Sequence, residues 1–238
     1  AAVILEPLVQ CAAGMAMHDP EYLRRVRALC DRHEVHLIAD EIAVGCGRTG
    51  SFFACEQAGI WPDFLCLSKG ISGGYLPLAL VMTRDDIYAG FVDDDAARSF
   101  LHSHSYTGNA LACRAALATL DLFDSEDVLR RNRARAARLL QRLHDGLEGL
   151  PVDHLRQQGL ITAFDVREPG ARFAERFHMV ARGHGLLMRP IGNTVYLMPP
   201  YAIDDGEIDL LVDGTLATLK AVAATGEQQE GARDVALA

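Results

Sequence analysis

The chain has 238 residues, of which 50% are hydrophobic and 23% are charged, a globular composition with enough apolar material for a sizeable core. Its formal net charge of −9 argues against a nucleic-acid partner, because phosphates require clustered Lys and Arg. No apolar run reaches the ~18 residues of a membrane span, so no membrane partner is expected. The six cysteines form no Cys-x-x-Cys pair, which is typical of reduced thiols in a cytoplasmic protein.

The first half of the chain alternates apolar strands with helices. After an apparent strand at Val3–Val9, Asp19 and Pro20 begin a capped amphipathic helix that leads to the apolar run Val35–Ala39. A second run, Phe64–Leu67, precedes a glycine-rich turn, and another strand follows at Leu78–Met82. This alternation predicts an α/β fold with a mainly parallel sheet.

The second half predicts a different arrangement, a small α+β domain. The expected elements are a buried helix at Asn109–Phe123, a long helix at Ser125–Leu147, strands at Leu160–Val166 and Thr194–Met198, and helices at Ala171–Gly183 and Asp204–Ala224. The predicted boundaries are therefore 1–121 for a large domain, 122–224 for the small domain and 225–238 for a disordered tail.

Asp40 and Lys69 each follow one of the two apolar runs. If the runs are neighbouring parallel strands, both residues lie at the carboxyl edge of the sheet, where open α/β folds bind ligands. A lysine beside an aspartate suits pyridoxal phosphate (PLP), whose aldehyde forms a Schiff base with an amine and whose ring nitrogen needs an acid partner. A charge pair at ~4 Å is worth roughly 4 kcal/mol at an effective dielectric of ~20, about three pKa units. From these two residues alone, a strand-end cap and a surface charge are the more common interpretation, and the flanking residues change it.

Four segments around these residues resemble the class III PLP-dependent aminotransferases of fold type I. They are Ile38–Gly50, Leu67–Gly70, His102–Asn109 and Met188–Tyr201. The resemblance implies the C-terminal part of the large PLP-binding domain followed by the small domain. The sequence departs from the family pattern at Val44, Cys46 and Ala110, and at Ser105, where a serine replaces the usual threonine but keeps the hydroxyl.

The resemblance also implies roles for individual residues. Lys69 and Asp40 would be catalytic and would bind the cofactor. Ile42 and Gln10 would lie near the cofactor ring, and Ser105 would contact the cofactor phosphate of the partner subunit in a homodimer. The substrate would be bound by Arg189, Lys69, Tyr196 and Arg48.

The activity implied by the Met188–Tyr201 segment is transfer of an amino group from S-adenosylmethionine to 8-amino-7-oxononanoate, which gives 7,8-diaminononanoate in biotin biosynthesis. Action on ω-amino acids or ornithine is the alternative within the family. Family members carry a glycine/serine phosphate cradle and a stacking aromatic residue upstream, and neither is in this sequence. We therefore expect a chain truncated at its N-terminus, and a catalytically incompetent fragment stays an open alternative.

Two other patterns could indicate different chemistry. Gly45-x-Gly47-x-x-Gly50 fits a dinucleotide fingerprint, but the nearest acid, Asp63, precedes the next strand instead of ending it. The histidine pairs His102/His104 and His33/His36 lack nearby ligands to complete a metal site, so no metal is expected.

Overall fold

The computed structural model of the chain describes residues 1–235, with side chains described as far as residue 224. It divides into two compact units, of which the first comprises Ala1–Gln10 and His18–Arg130. The second comprises Cys11–Met17 and the chain from Arg131 onward. The predicted domain boundaries, including the one at residue 122, stay predictions.

The helices and strands follow the predicted alternation. The strands are β1 (Ala2–Leu5), β2 (Val9–Gln10), β3 (Ala16–Met17), β4 (His36–Asp40), β5 (Phe64–Leu67), β6 (Leu80–Thr83), β7 (Val152–Gln158), β8 (Ile161–Val166) and β9 (Thr194–Leu197). The helices are α1 (Pro20–Arg32), α2 (Asp85–Ala89), α3 (Ala110–Ser125), α4 (Val128–Leu147), α5 (Phe173–Gly183) and α6 (Asp205–Val235).

The first unit contains a four-stranded sheet in the order β1-β4-β5-β6. The β1, β4 and β5 strands are parallel, whereas β6 runs antiparallel to β5 at the edge. The mainly parallel sheet of the prediction is therefore confirmed. Its core is formed by the buried side chains of Ala39, Cys46, Cys55, Leu65, Leu67, Ile71 and Ala116.

Helix α1 begins where the sequence indicates. Asp19 caps it by accepting a hydrogen bond from the Glu21 N–H at 2.7 Å, and Pro20 occupies the first turn, where no N–H is needed. Leu23 and Cys30 lie on its buried face. The helix thereby packs its apolar side inward and brings Arg27 to the amino end of β5.

Asp63 joins several elements at that amino end. Its carboxylate, 3% exposed, accepts hydrogen bonds from the Leu37 N–H (2.7 Å), Arg27 Nη1 (2.8 Å) and Arg84 Nη1 (2.6 Å). Burial alone would raise the pKa of Asp63, but the Leu37 amide and the two guanidinium groups favour the carboxylate and hold its pKa below the ordinary value. Asp63 thus links α1, β4, β5 and the end of β6, a structural role.

The second unit is built on the antiparallel sheet β7-β8-β9, against which helices pack. Its buried core includes Leu139, Leu143, Phe164, Phe177, Val195, Ile208, Val212 and Leu219. On the surface, Arg138 and Arg142 of α4 pair with Asp209 of α6 at 2.8 and 3.0 Å. These arginines therefore belong to a solvated helix pair.

Several boundaries differ from the sequence-based predictions. The first strand ends at Leu5, and Leu8 adopts a left-handed backbone with φ 67°. The helix predicted at Asn109–Phe123 is present as α3, but the prediction that it is buried is wrong in the described chain, because Leu111 and Leu117 are 73% and 53% exposed. Strand β7 was not predicted, since its sequence is largely polar.

The backbone of α6 continues past the predicted end at residue 224 to Val235. The predicted disordered tail at 225–238 lies outside the residues whose side chains are described, and it stays a prediction. Within the described chain, no helix combines the length and apolar character that a membrane span requires.

Candidate active site

Asp40 and Lys69 leave the sheet at the same edge. Asp40 is the last residue of β4 and lies opposite Cys66 of β5 in the parallel register, while Lys69 comes two residues after β5 ends at Leu67. The predicted parallel pairing of these two strands is confirmed. An amine and a carboxylate therefore follow the carboxyl ends of two neighbouring parallel strands, as a ligand site in an open α/β sheet requires.

The Asp40 carboxylate is half-buried and oriented by its own loop. Oδ1 accepts a hydrogen bond from the Ile42 N–H at 3.1 Å. Among the residues that the structure describes, none donates to Oδ2. Burial and the charge of Asp40 raise the pKa of the neighbouring Cys66 thiol, which keeps that thiol neutral. The carboxylate is thus fixed at one oxygen and open at the other.

Lys69 is exposed and adopts a backbone conformation that lysine rarely takes. Its φ is 46°, in the left-handed region, and it opens a short 3₁₀ helix at Lys69–Ser72. The flanking hydroxyls hold this turn, because Ser68 Oγ donates to the Leu78 carbonyl and Ser72 Oγ to the Leu76 carbonyl, each at 2.6 Å. Backbone strain of this kind clusters at functional sites, where the surroundings enforce it.

Close packing around this turn explains the glycine after Lys69. A Cβ at Gly70 would lie 3.0 Å from the Cβ of Cys46 in the loop that follows Asp40. The two loops at the sheet edge are therefore in direct contact. Burial, with the nearby Glu41 charge, raises the pKa of the Cys46 thiol to about 11, so this cysteine acts as an apolar packing group.

The fingerprint-like glycines of the Asp40 loop are required by packing. A Cβ at Gly45 would lie 2.9 Å from Glu41 Oε2. Gly47 has φ 86°, and its Cβ would approach Leu129 Cδ2 to 2.9 Å. Neither glycine needs a nucleotide phosphate to explain it. Arg48 is half-buried in the same loop, and its N–H donates to the Gly45 carbonyl at 3.2 Å.

The Glu41 side chain, which the sequence analysis did not single out, closes this loop. It is 1% exposed and accepts hydrogen bonds from the N–H groups of Ala54 (2.7 Å) and Cys55 (2.8 Å). Burial raises the pKa of Glu41, although the two amides and the Cys55 thiol favour its ionised form. The sequence feature that could have revealed Glu41 is its position as an acidic residue between Asp40 and an apolar segment.

Three further predicted cofactor residues lie in the first unit. Ile42 is half-buried directly after the strand edge, and Gln10 is half-buried, with Nε2 donating to the Glu6 carbonyl at 2.5 Å. Ser105 is exposed in a turn in which the His104 N–H donates a hydrogen bond to Thr107 Oγ1 at 3.0 Å. No contact joins Ser105 to Asp40 or Lys69 within the described residues.

The predicted substrate residues Arg189 and Tyr196 lie in the second unit. Arg189 is exposed between the buried residues Met188 and Pro190, and Tyr196 is half-buried on β9. His178 on α5, which was not predicted, donates from Nδ1 to the Met188 carbonyl at 2.8 Å. The backbone on the amino side of Arg189 is therefore fixed while its guanidinium reaches solvent.

The described residues contain no cluster of His, Cys, Asp and Glu that could hold a metal ion. The candidate chemistry thus depends on the exposed Lys69 amine and the partly buried Asp40 carboxylate. Those are the two groups that PLP requires, one for its aldehyde and one for its ring nitrogen. Asp40 has an oxygen available for the ring nitrogen, so the residues present fit this cofactor.

Comparison with known proteins identifies the family. The model of the aminotransferase class-III family matches residues 1–219. The adenosylmethionine-8-amino-7-oxononanoate aminotransferase of Helicobacter pylori is 46% identical over 224 residues, which cover 92% of this chain and 51% of that protein.

Solved structures agree with this match. The adenosylmethionine-8-amino-7-oxononanoate aminotransferase of Methanocaldococcus jannaschii superimposes with a TM-score of 0.86 at 35% identity, covering 92% of this chain and 53% of that one. An (S)-enantioselective omega-transaminase from Thermomicrobium roseum also reaches 0.86, at 31% identity and covering 93% and 51%. The chain spans about half the length of the relatives it matches. It belongs to the class III aminotransferases, a family of PLP-dependent enzymes.

Proposed function

We propose that the full-length protein transfers an amino group from S-adenosylmethionine to 8-amino-7-oxononanoate, giving the 7,8-diaminononanoate of biotin biosynthesis. The observation that carries the proposal is the placement of Asp40 and Lys69 after the carboxyl ends of parallel neighbours β4 and β5. The names of the relatives support this pair of substrates. The six free thiols, several of them buried, support the reducing cytoplasm as its compartment.

Lys69 and Asp40 would hold the cofactor from two sides, with Ile42 and Gln10 beside its ring. When bound, PLP supplies an aldehyde that captures amines and a ring that withdraws electrons. The Lys69 amine is exposed on a turn held by Ser68 and Ser72, so its position is fixed at the backbone while its side chain stays free to move. That combination suits an amine that would hold the cofactor through its aldehyde.

Lys69 would also act in proton transfer. Its Nζ would take the proton from the substrate carbon that bears the amino group and return it elsewhere during the transfer. Positioned general acid–base groups of this kind contribute about 10²–10⁴-fold to rate. Lys69 opens the 3₁₀ helix with a left-handed backbone and an exposed side chain, so its amine is accessible to a ligand.

Asp40 would keep the ring nitrogen protonated through Oδ2. The Ile42 amide occupies Oδ1, which orients the carboxylate. A charge pair of this kind is worth roughly 4 kcal/mol, which would raise the pKa of the ring nitrogen by about three units. The electron-withdrawing power of the ring at neutral pH thus depends on this one side chain.

Arg189 would bind the terminal carboxylate of the keto substrate, and Tyr196 and Arg48 would be further substrate-binding residues. Guanidinium groups bind carboxylates at two points, and Arg189 presents an exposed side chain on a backbone fixed by His178. No ion pair involving Arg189 is formed within the described residues. The side chain is therefore available to a ligand.

We further propose a homodimer in which Ser105 serves the partner's cofactor. The segment around Ser105 exposes large apolar side chains, with Phe100, Leu101 and Tyr106 at 68%, 86% and 74% exposure. Apolar surface of this extent is typical of a region that a second chain covers. Light scattering of the full-length protein tests the assembly, and Ser105→Ala should weaken PLP binding without changing the dimer. A monomer, or unchanged PLP affinity in this variant, would contradict the assignment.

One substrate panel tests the proposed activity. The purified full-length protein is incubated with PLP, S-adenosylmethionine and 8-amino-7-oxononanoate, and the diamine product is measured by mass spectrometry. Ornithine and an ω-amino acid with a keto acceptor serve as parallel reactions. Formation of diaminononanoate at a higher kcat/KM than either alternative supports the proposal. Preference for ornithine or an ω-amino acid would assign the protein to another branch of the family.

A further inference from the structure

The buried Glu41 carboxylate is the one acidic side chain at the sheet edge for which the proposed mechanism gives no role. It directly follows Asp40, and its two oxygens accept separate hydrogen bonds, Oε2 from the Ala54 N–H and Oε1 from the Cys55 N–H. Ala54 and Cys55 begin the 3₁₀ helix Ala54–Ala58. Glu41 therefore ties the start of the Asp40 loop to a point thirteen residues later in the chain.

The backbone of Glu41 is held as firmly as its side chain. Its N–H donates to the Cys66 carbonyl of β5 at 3.0 Å, and its carbonyl accepts from the Gly45 N–H at 2.9 Å. The absence of a Cβ at Gly45 leaves the space that the Glu41 side chain occupies. Loop, sheet edge and 3₁₀ helix consequently meet at this one residue.

This anchoring bears on the next residue, Ile42. The Ile42 N–H points back to Asp40 Oδ1, and that hydrogen bond sets the direction of the other oxygen, Oδ2. Any rotation of the loop at Glu41 would move the Ile42 amide and release Asp40. The carboxylate of Asp40 is thus oriented through a chain of contacts that begins at the Glu41 side chain.

Glu41 itself cannot touch a substrate. It is 1% exposed, and no Lys, Arg or His side chain contacts it within the described residues. A buried carboxylate without a cation costs stability unless hydrogen bonds compensate it, which the Ala54 and Cys55 amides do. Retaining an acid at such a position calls for a role beyond filling the space.

We propose that Glu41 is a positioning residue for Asp40, holding the Ile42 amide where it directs the Asp40 carboxylate toward the ring nitrogen. This inference rests on the proposed function, since it assumes that Asp40 serves the cofactor. It assigns Glu41 no proton transfer and no ligand contact.

The first test needs no cofactor. Glu41→Gln keeps the size of the side chain but replaces one acceptor oxygen with an NH₂ group, which cannot accept from an amide. Hydrogen exchange of the apo full-length protein, measured on a peptide containing Ile42, should become about tenfold faster or more in this variant. Asp63→Asn is the matched control, because Asp63 is an equally buried carboxylate that accepts a backbone amide at the other end of β5. The control should lower the unfolding temperature but leave exchange at Ile42 unchanged.

The second test uses the holoenzyme. In Glu41→Gln, the absorption spectrum of bound PLP at neutral pH should shift in the same direction as in Asp40→Asn, and kcat should fall roughly tenfold with little change in KM. Asp63→Asn should leave the spectrum as in wild type. Should Glu41→Gln fail to fold, Glu41→Asp, which keeps the charge but is one methylene too short to reach both amides, is measured in the same way.

The outcomes separate the two proposals. Wild-type exchange at Ile42 and a wild-type spectrum in a folded Glu41 variant would overturn the positioning role and leave Glu41 as a structural residue. An unchanged spectrum in Asp40→Asn would instead overturn the assignment of Asp40, and with it the proposed function. Faster exchange together with a shifted spectrum in Glu41→Gln supports the inference.

Discussion

Arg156 and Asp165 form a two-point ion pair across β7 and β8, with Nη2 to Oδ1 at 3.0 Å and Nη1 to Oδ2 at 3.1 Å. The same arginine donates to the Gly14 and Met15 carbonyls, which ties the segment Cys11–Met17 to the β7-β8-β9 sheet of the second unit. Burial would raise the pKa of Asp165, but hydrogen bonds from Arg156, Thr194 and His154 lower it below the ordinary value.

We expect Asp165→Asn to destabilise the second unit by about 1.5–3 kcal/mol at neutral pH, the usual worth of hydrogen bonds to a charged group. Because the folded state lowers the pKa of Asp165, its contribution is complete above the unfolded carboxyl pKa of about 3.9 and is lost as the pH falls through the lower folded value. Urea unfolding followed by circular dichroism at pH 6 and at pH 3 measures both effects. Glu148→Gln, an exposed acid, is the control, and an equal pH dependence in Asp165→Asn and wild type would contradict the prediction.

Lys69→Ala should abolish covalent attachment of PLP and reduce turnover by about 10²–10⁴-fold or more. Lys220 is the only other lysine in the sequence, and it lies exposed on α6. Borohydride reduction of the holoenzyme followed by peptide mapping should label Lys69 alone. Lys220→Ala provides the matched control and should keep both label and activity. A phosphopyridoxyl group on Lys220 in the wild-type protein would refute the assignment.

Asp40→Asn should leave PLP bound while slowing the single-turnover reaction with S-adenosylmethionine by about a hundredfold or more. An amide cannot hold the ring nitrogen protonated, and the charge interaction that it replaces is worth about three pKa units. Stopped-flow absorbance of the first half-reaction measures this loss. Near-normal rates would show that some other group protonates the ring.

Arg189→Ala should slow the second half-reaction, with the keto acid, far more than the first, with the amino donor. Loss of a hydrogen-bonded carboxylate partner costs about 1.5–3 kcal/mol, or roughly 10- to 150-fold in kcat/KM. Arg182→Ala removes an exposed arginine from the same unit and should change neither half-reaction. Equal losses in both halves for Arg189→Ala would indicate a structural arginine.

The sequence predicted the strands that carry the site because their runs are mostly apolar and each is followed by a charged or turn residue. Strand β7 was not predicted because its apolar and polar side chains do not alternate regularly. It is mostly polar and carries a bulge between Asp153 and Arg156. The antiparallel direction of β6 also could not be predicted, since a short apolar run reads the same in either direction.

The residues that support the site were harder to predict than the residues that form it. Lys69 and Asp40 stand at strand ends, where local pattern reveals them. Glu41 and His178 act through hydrogen bonds to backbone groups far along the chain or on another element, Ala54 and Met188. A one-dimensional pattern contains no record of such partners, so these two residues became evident only from the folded structure.

Asp63 and Glu41, at opposite ends of β5, also fix the register between β4 and β5. Asp63 bonds to Leu37 at the amino end, and the Glu41 N–H bonds to Cys66 at the carboxyl end. A slip of one residue between β4 and β5 would turn Asp40 to the opposite face of the sheet. The same slip would separate the Leu37 N–H from the Asp63 carboxylate and the Glu41 N–H from the Cys66 carbonyl, which would leave polar groups of the sheet without their partners. A chain that misaligns these strands is therefore unstable in its own right, and molecules that reach the folded state carry Asp40 on the correct face.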